Sequence, residues 1–141
     1  MTIKEIQDEI VDEFSMLTEK EDKYLSLIEI GNKLESFEEE HRTEQNLIEG
    51  CQAKVWLHAW LDDDKIRFMA DSDAIIVKGI ISLLIRILDK RKPNEILESE
   101  LFFVDKIGLK ELLSPTRSNG LVSMVKQMRM YALAFKTKME N

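Results

Sequence analysis

Residues 53–70 read Ala53-Lys54-Val55-Trp56-Leu57-His58-Ala59-Trp60-Leu61-Asp62-Asp63-Asp64-Lys65-Ile66-Arg67-Phe68-Met69-Ala70, and the alternation within them decides the fold class. Ala53, Val55, Leu57 and Ala59 fall on one side, and Lys54, Trp56, His58 and Trp60 on the other. That is the period of two expected of a half-buried strand. Leu61 to Asp64 turns the chain, after which Ile66, Phe68 and Ala70 oppose Lys65, Arg67 and Met69. The two runs predict an antiparallel hairpin with one face to be covered. The three adjacent carboxylates of the turn lack the spacing of an EF-hand loop and read as a solvated tip.

Helical periods flank the hairpin. Upstream, Thr2 with Glu5 fits a capping box, and Ile3, Ile6, Ile10 and Phe14 predict an amphipathic helix to about Met16. Thr18 with Glu21 repeats that signal before Tyr24, Leu27 and Ile28, and Gly31 falls near the end of this second helix. Residues 35–50 have no clear period; Glu38-Glu39-Glu40 reads as a solvated loop, and Asn46 to Ile48 as a short third strand. Downstream, Asp71 or Ser72 is expected to cap a helix with Asp73 in its first turn. That helix is apolar all round except for Lys78, Ser82 and Arg86, which predicts burial with one stripe reaching solvent. Gly79 in its interior implies close packing, expected against the sheet. Pro93 with Glu95 opens another helix, and Phe102, Phe103 and Ile107 mark a short segment ended by Gly108. Ser114 and Pro115 start a last helix carrying Leu121, Met124, Val125, Met128, Ala132 and Phe135 on one face. The fold class is therefore α+β: a small antiparallel sheet covered by helices, residues 1–141 forming one domain.

Composition narrows the function. A chain of 141 residues buries about 68–70% of its unfolded surface and needs no staples. A net charge of −7 argues against a general nucleic-acid binder, which requires a basic face. Residues 1–5 lack the pattern of a secretory signal, and the most apolar run, 74–88, is broken by Lys78 and Arg86, so neither export nor a membrane span is expected. One cysteine and two histidines supply neither a disulfide nor a structural zinc site, which suits a reducing cytoplasm. A single thiolate also cannot hold an iron–sulfur cluster alone.

That lone cysteine follows Gly50, which tolerates positive φ and so reads as a turn presenting the thiol. The surrounding words recur in family order. They are Lys23-Tyr24-Leu25, Ile28-Glu29-Ile30-Gly31, Arg42, Asn46, Gly50-Cys51-Gln52, Val55-Trp56, Asp71-Ser72-Asp73-Ala74, Ile76-Val77-Lys78-Gly79, Ile107-Gly108-Leu109, Leu113-Ser114-Pro115 and Arg117-Ser118-Asn119-Gly120-Leu121. Spanning nearly the whole chain, this ordered set resembles the SufE family of sulfur acceptors, partners of cysteine desulfurases in iron–sulfur cluster assembly, with a SufE/IscU-like fold. The sequence departs from the family pattern at Ala53, where Ser commonly follows Gly-Cys-Gln.

The resemblance implies that Cys51 attacks the outer sulfur of a desulfurase persulfide, activates that enzyme and passes sulfur to an iron–sulfur scaffold complex. The partner is expected to be SufS-like or CsdA-like. No cofactor is expected in this chain, pyridoxal phosphate belonging to the desulfurase. Neither nucleic acid nor membrane is an expected partner, and the chain is expected to be a monomer or weak homodimer. An attacking thiol must be deprotonated, so the resemblance makes Arg117 a candidate for thiolate or loop support. A salt bridge from Arg117 to Asp71 or Asp73 is the competing expectation, with the two carboxylates holding the cysteine loop. Leu47, Ile48, Val55 and Leu57 are expected to shelter the thiol. A thiol-based redox sensor and a non-catalytic desulfurase adaptor are the alternatives, although no resolving cysteine is present.

Overall fold

In the computed structural model, which describes residues 1–141, the hairpin forms from the alternation. Strands β1 (Val55–Asp62) and β2 (Lys65–Ser72) pair antiparallel in the register Val55 opposite Ser72 through Asp62 opposite Lys65. Asp63 and Asp64 close a two-residue turn, with Asp63 at φ 57°. Val55, Leu57, Ile66, Phe68 and Ala70 are buried on one face, as the period of two requires. The expected third strand shrinks to a single antiparallel bridge of Leu47 with Trp56, beside which the Ile48 N–H donates to the Val55 carbonyl at 2.9 Å.

Seven helices accompany the hairpin: α1 (Ile3–Ser15), α2 (Lys20–Asn32), α3 (Ile75–Leu88), α4 (Pro93–Glu98), α5 (Phe103–Lys106), α6 (Leu109–Leu112) and α7 (Pro115–Glu140). The capping box of α1 forms as read: Thr2 Oγ1 accepts from the Glu5 N–H at 3.1 Å, and Glu5 accepts from the Thr2 N–H at 3.0 Å. The second box does not form, because α2 begins one residue too late, with Glu19 as an N-cap lacking a side-chain bond. Tyr24 packs and donates its hydroxyl proton to the Leu112 carbonyl, which ties α2 to α6. Ser114 caps α7 by accepting the Arg117 N–H at 3.3 Å.

Helix α3 is the hub. Val77, Ile80, Ile81, Leu83, Leu84, Ile87 and Leu88 are buried in the one hydrophobic cluster that joins the inner face of the sheet to α1, α2 and α7. Gly79 permits close packing, but against α2 rather than the sheet. A Cβ there would lie 2.1 Å from the Leu27 carbonyl oxygen, and one on Gly31 would lie 2.8 Å from the Gly79 nitrogen. The two helices thus cross backbone to backbone at a pair of glycines. The Lys78, Ser82 and Arg86 stripe is only partly open to solvent, since each side chain has a neighbour. Lys78 lies 3.4 Å from Asp71, Ser82 donates to the Ile30 carbonyl, and Arg86 pairs with Glu9 and Glu13 of α1 at 2.6 Å. Asp71 and Ser72 do not cap α3. They end β2, and the helix starts at Ile75 after Ala74, so Asp73 precedes its first turn. Ser72 instead accepts the Ala74 N–H at 3.2 Å in a local turn.

Candidate functional site: a sheltered thiol between two helix N-termini

Gly50 and Cys51 lie on the loop entering β1, and Gly50 adopts φ 87°, a conformation open to glycine. A Cβ at Gly50 would also approach Ser123 Oγ of α7 to 2.5 Å, a hydroxyl that can rotate away, so it is the conformation that calls for glycine. The turn does not hold the thiol out into solvent. Cys51 is half-buried and points at α7, its S–H donating to the Gly120 carbonyl with a sulfur to oxygen distance of 3.6 Å.

Beside the sulfur is a cavity of about 220 Å³ lined by Ala53, Ala74, Val77, Thr116, Arg117, Gly120 and Met124 together with Cys51 and Gln52. Ala74 and Val77 belong to the start of α3, and Thr116 and Arg117 to the start of α7. Two helix N-termini therefore meet here, each favouring negative charge on the sulfur. Burial acts in the other direction and pushes the Cys51 thiol above its ordinary value. In this closed arrangement the neutral thiol is the favoured form. Ala53 lines the cavity with a methyl group where the family pattern has a hydroxyl.

The structure brings Arg117 to the cavity but not into an ion pair. Its side chain is exposed, and the expected bridge to Asp71 or Asp73 is absent because both carboxylates are engaged elsewhere. Asp71 pairs with Arg42 at 2.5 Å and lies 3.4 Å from Lys78. Burial opposes its charge, but the Arg42 hydrogen bond, the Ser72 N–H and the two cations outweigh that and hold its carboxyl below the ordinary range. Asp73 accepts the Lys54 N–H at 3.0 Å, and its own N–H donates to the Lys54 carbonyl at 3.2 Å. Both acids lie outside the cavity, Asp71 tied through Arg42 to the segment before the cysteine loop and Asp73 through Lys54 to the segment after it.

The shelter also differs from the expectation. Ile48, Val55 and Leu57 are buried in the main core, and neither they nor Leu47 lines the cysteine cavity. The covering residues come from α3 and α7, which are distant in sequence from Cys51 and carry no local signal of proximity to it. Arg42 is the other residue whose part is visible only in the fold. Its guanidinium lies over Phe37 at 5.4 Å and over Trp56 at 5.0 Å while pairing with Asp71. The aromatic residues on either side of it in sequence were the available hint. The outer face of β1 is covered further by His41, stacked on His58 with centroids 3.7 Å apart.

Comparison with known proteins agrees with this architecture. The model of the SufE domain, described as Fe–S metabolism associated, matches residues 8–132. An uncharacterised SufE-like protein of Synechocystis is 38% identical over 126 residues, covering 89% of this chain and 79% of that one. Another, of Rhizobium meliloti, is 39% identical over 127 residues, covering 86% and 91%. SufE-like protein 1 of Arabidopsis thaliana, named as chloroplastic/mitochondrial, is 37% identical over 94% of this chain, which spans 36% of the plant protein's length. A solution structure of a hypothetical protein from Thermus thermophilus has the same fold, with a TM-score of 0.77 over 94% of this chain and 96% of that one at 24% identity. No helix is long and apolar enough to cross a membrane. With the domain match spanning most of the chain and these relatives matching at more than a third identity, the chain belongs to the SufE family, whose domain is associated with iron–sulfur metabolism.

Proposed function

We propose that this protein accepts sulfur from a cysteine desulfurase onto Cys51 and delivers it to an iron–sulfur scaffold. The observation that carries the reading is the chain's single thiol, set on a glycine turn beside a small cavity where two helix N-termini meet. In the reaction, Cys51 loses its proton and its thiolate attacks the outer sulfur of the desulfurase persulfide. A new sulfur–sulfur bond forms on Cys51 as the old one breaks, and the donor cysteine leaves as a thiolate and is reprotonated. The exchange is balanced without an external oxidant or reductant. Pyridoxal phosphate serves the desulfurase and has no part in the transfer step.

The buried neutral thiol and its Gly120 bond describe a resting state, and the transfer requires the loop to move outward. Removing Cys51 from the cavity takes away the burial that raises its pKa, so docking and activation are one event. Arg117, exposed at the cavity mouth, then supports the thiolate or the transferred sulfur. Asp71 and Asp73 set how readily the loop opens. We place the protein in the cytoplasm as a monomer or weak homodimer, with a SufS-like or CsdA-like desulfurase as partner. A redox sensor is less well matched, because fast oxidation needs an accessible, low-pKa thiol.

The test is cysteine turnover by a desulfurase with and without this protein. Wild type is expected to raise sulfide release and Cys51→Ser to leave it at the basal rate. Equal stimulation by both would favour a non-catalytic adaptor and overturn the acceptor reading.

A further inference from the structure

A second concave surface lies on the side of α7 next to the face that covers Cys51. It is a groove of about 900 Å³ between α7 and the segment from α4 to α5. Its apolar lining comes from Leu97 and Leu101 on one wall and Val122, Val125, Met130 and Leu133 on the other. Val122, Met130 and Leu133 are 64, 53 and 56% exposed, a large apolar content to leave in water on one helix. They lie on one side of α7 at helical spacing, and from Val122 to Leu133 the seam is about 17 Å long, room for three turns of a second helix.

Charge selects the occupant. Helix α7 carries Arg117, Lys126, Arg129, Lys136 and Lys138 against the single carboxylate Glu140, although the whole chain is at −7. On the groove itself Lys110 is paired with Asp105 at 3.5 Å, which leaves Lys126 and Arg129 on the α7 wall facing Glu100 on the other. Arg129 gives one N–H to the Ser99 carbonyl at 2.8 Å and its Nε is buried without an acceptor, so the rest of its guanidinium and the exposed Lys126 are what a docked carboxylate would meet. A second copy docking through the same helix would bring two cationic α7 helices together. An anionic membrane presents a broad surface and does not suit a concave seam of this kind.

We propose that this groove is a docking site for an amphipathic helix of an acidic partner protein, its apolar seam on Val122 to Leu133 and its carboxylates beside Lys126 and Arg129. The site is separate from the sulfur chemistry, and Cys51→Ser protein is expected to bind as wild type does.

The probe is a fluorescein-labelled helical peptide of about four turns with a leucine seam flanked by glutamates, compared with the same seam flanked by lysines. It is titrated by anisotropy and by amide shifts of the full-length protein. The expected result is binding of the glutamate peptide, with shifts centred on residues 122–133. Leu133→Glu and Lys126→Glu are each expected to weaken binding about tenfold, the scale of losing one central interface contact. Both positions are exposed, and circular dichroism verifies that the variants fold. The proposal is overturned by no binding, by equal binding of the lysine peptide, or by shifts elsewhere. It is equally overturned if Leu133→Glu abolishes a dimer in sedimentation, or abolishes binding to phosphatidylglycerol vesicles, while wild type ignores the glutamate peptide.

Discussion

At Cys51 burial and the helix N-termini act in opposite directions, and in the closed arrangement burial prevails. The thiol is held neutral against the Gly120 carbonyl. Alkylation by iodoacetamide near neutral pH is therefore expected to be much slower in the folded protein than in the same chain in urea. Equal rates would mean that the thiol is not sheltered. The sequence singled out that residue as the candidate thiol, because the one cysteine follows a turn glycine within the SufE-like motifs. Its cover was not, because Gly120 and Met124 lie some seventy residues away and only tertiary packing brings α7 over the loop. The same limit hid the use of Asp71: the competing expectation for Arg117 was a bridge to Asp71 or Asp73, and the fold gave Asp71 to Arg42.

The elements that position the site are the hairpin, the α2–α3 crossing and the two-residue clamp between Lys54 and Asp73. The hairpin was readable because alternation over two runs has no helical counterpart. The start of α3 was misread because Asp71, Ser72 and Asp73 are all good capping residues, whereas β2 runs on through Ser72 and delays the helix to Ile75. Gly79 signalled close packing without naming the neighbour. Gly79→Ala would drive a methyl group into the Leu27 carbonyl, so a loss of about 3 kcal/mol in urea unfolding is expected, the upper part of the range for overpacking. A loss below about 0.5 kcal/mol would show that the helices part easily. Asp73→Ala removes the carboxylate that accepts the Lys54 N–H and is expected to raise the alkylation rate of Cys51 several-fold while leaving the far-ultraviolet spectrum unchanged. An unchanged rate would remove Asp73 from the control of the loop.

For the whole molecule, the shifted groups define a pH window of stability. The carboxyls of Asp71 and Glu13 are lowered in the folded state, Asp71 because its cations and hydrogen bonds outweigh burial and Glu13 chiefly by its Arg86 hydrogen bond. Their stabilisation is present above the ordinary carboxylate pKa and is lost as pH falls through the depressed native values. Cys51 behaves oppositely: its raised native value supports folding below the ordinary thiol pKa, and that support disappears as pH rises through the native one. The urea midpoint is expected to fall on both sides of neutrality, Asp71→Asn flattening the acid limb and Cys51→Ala the alkaline limb. Limbs unchanged by these substitutions would assign the dependence to other groups. The sheltering fold and the sulfur chemistry meet in one measurement, the intact mass of this protein after incubation with a cysteine desulfurase and cysteine, followed by alkylation. Wild type is predicted to gain one sulfur atom on the peptide containing Cys51, and Cys51→Ser none. Absence of the adduct from wild type, with a desulfurase shown to be turning over, would contradict sulfur acceptance at Cys51.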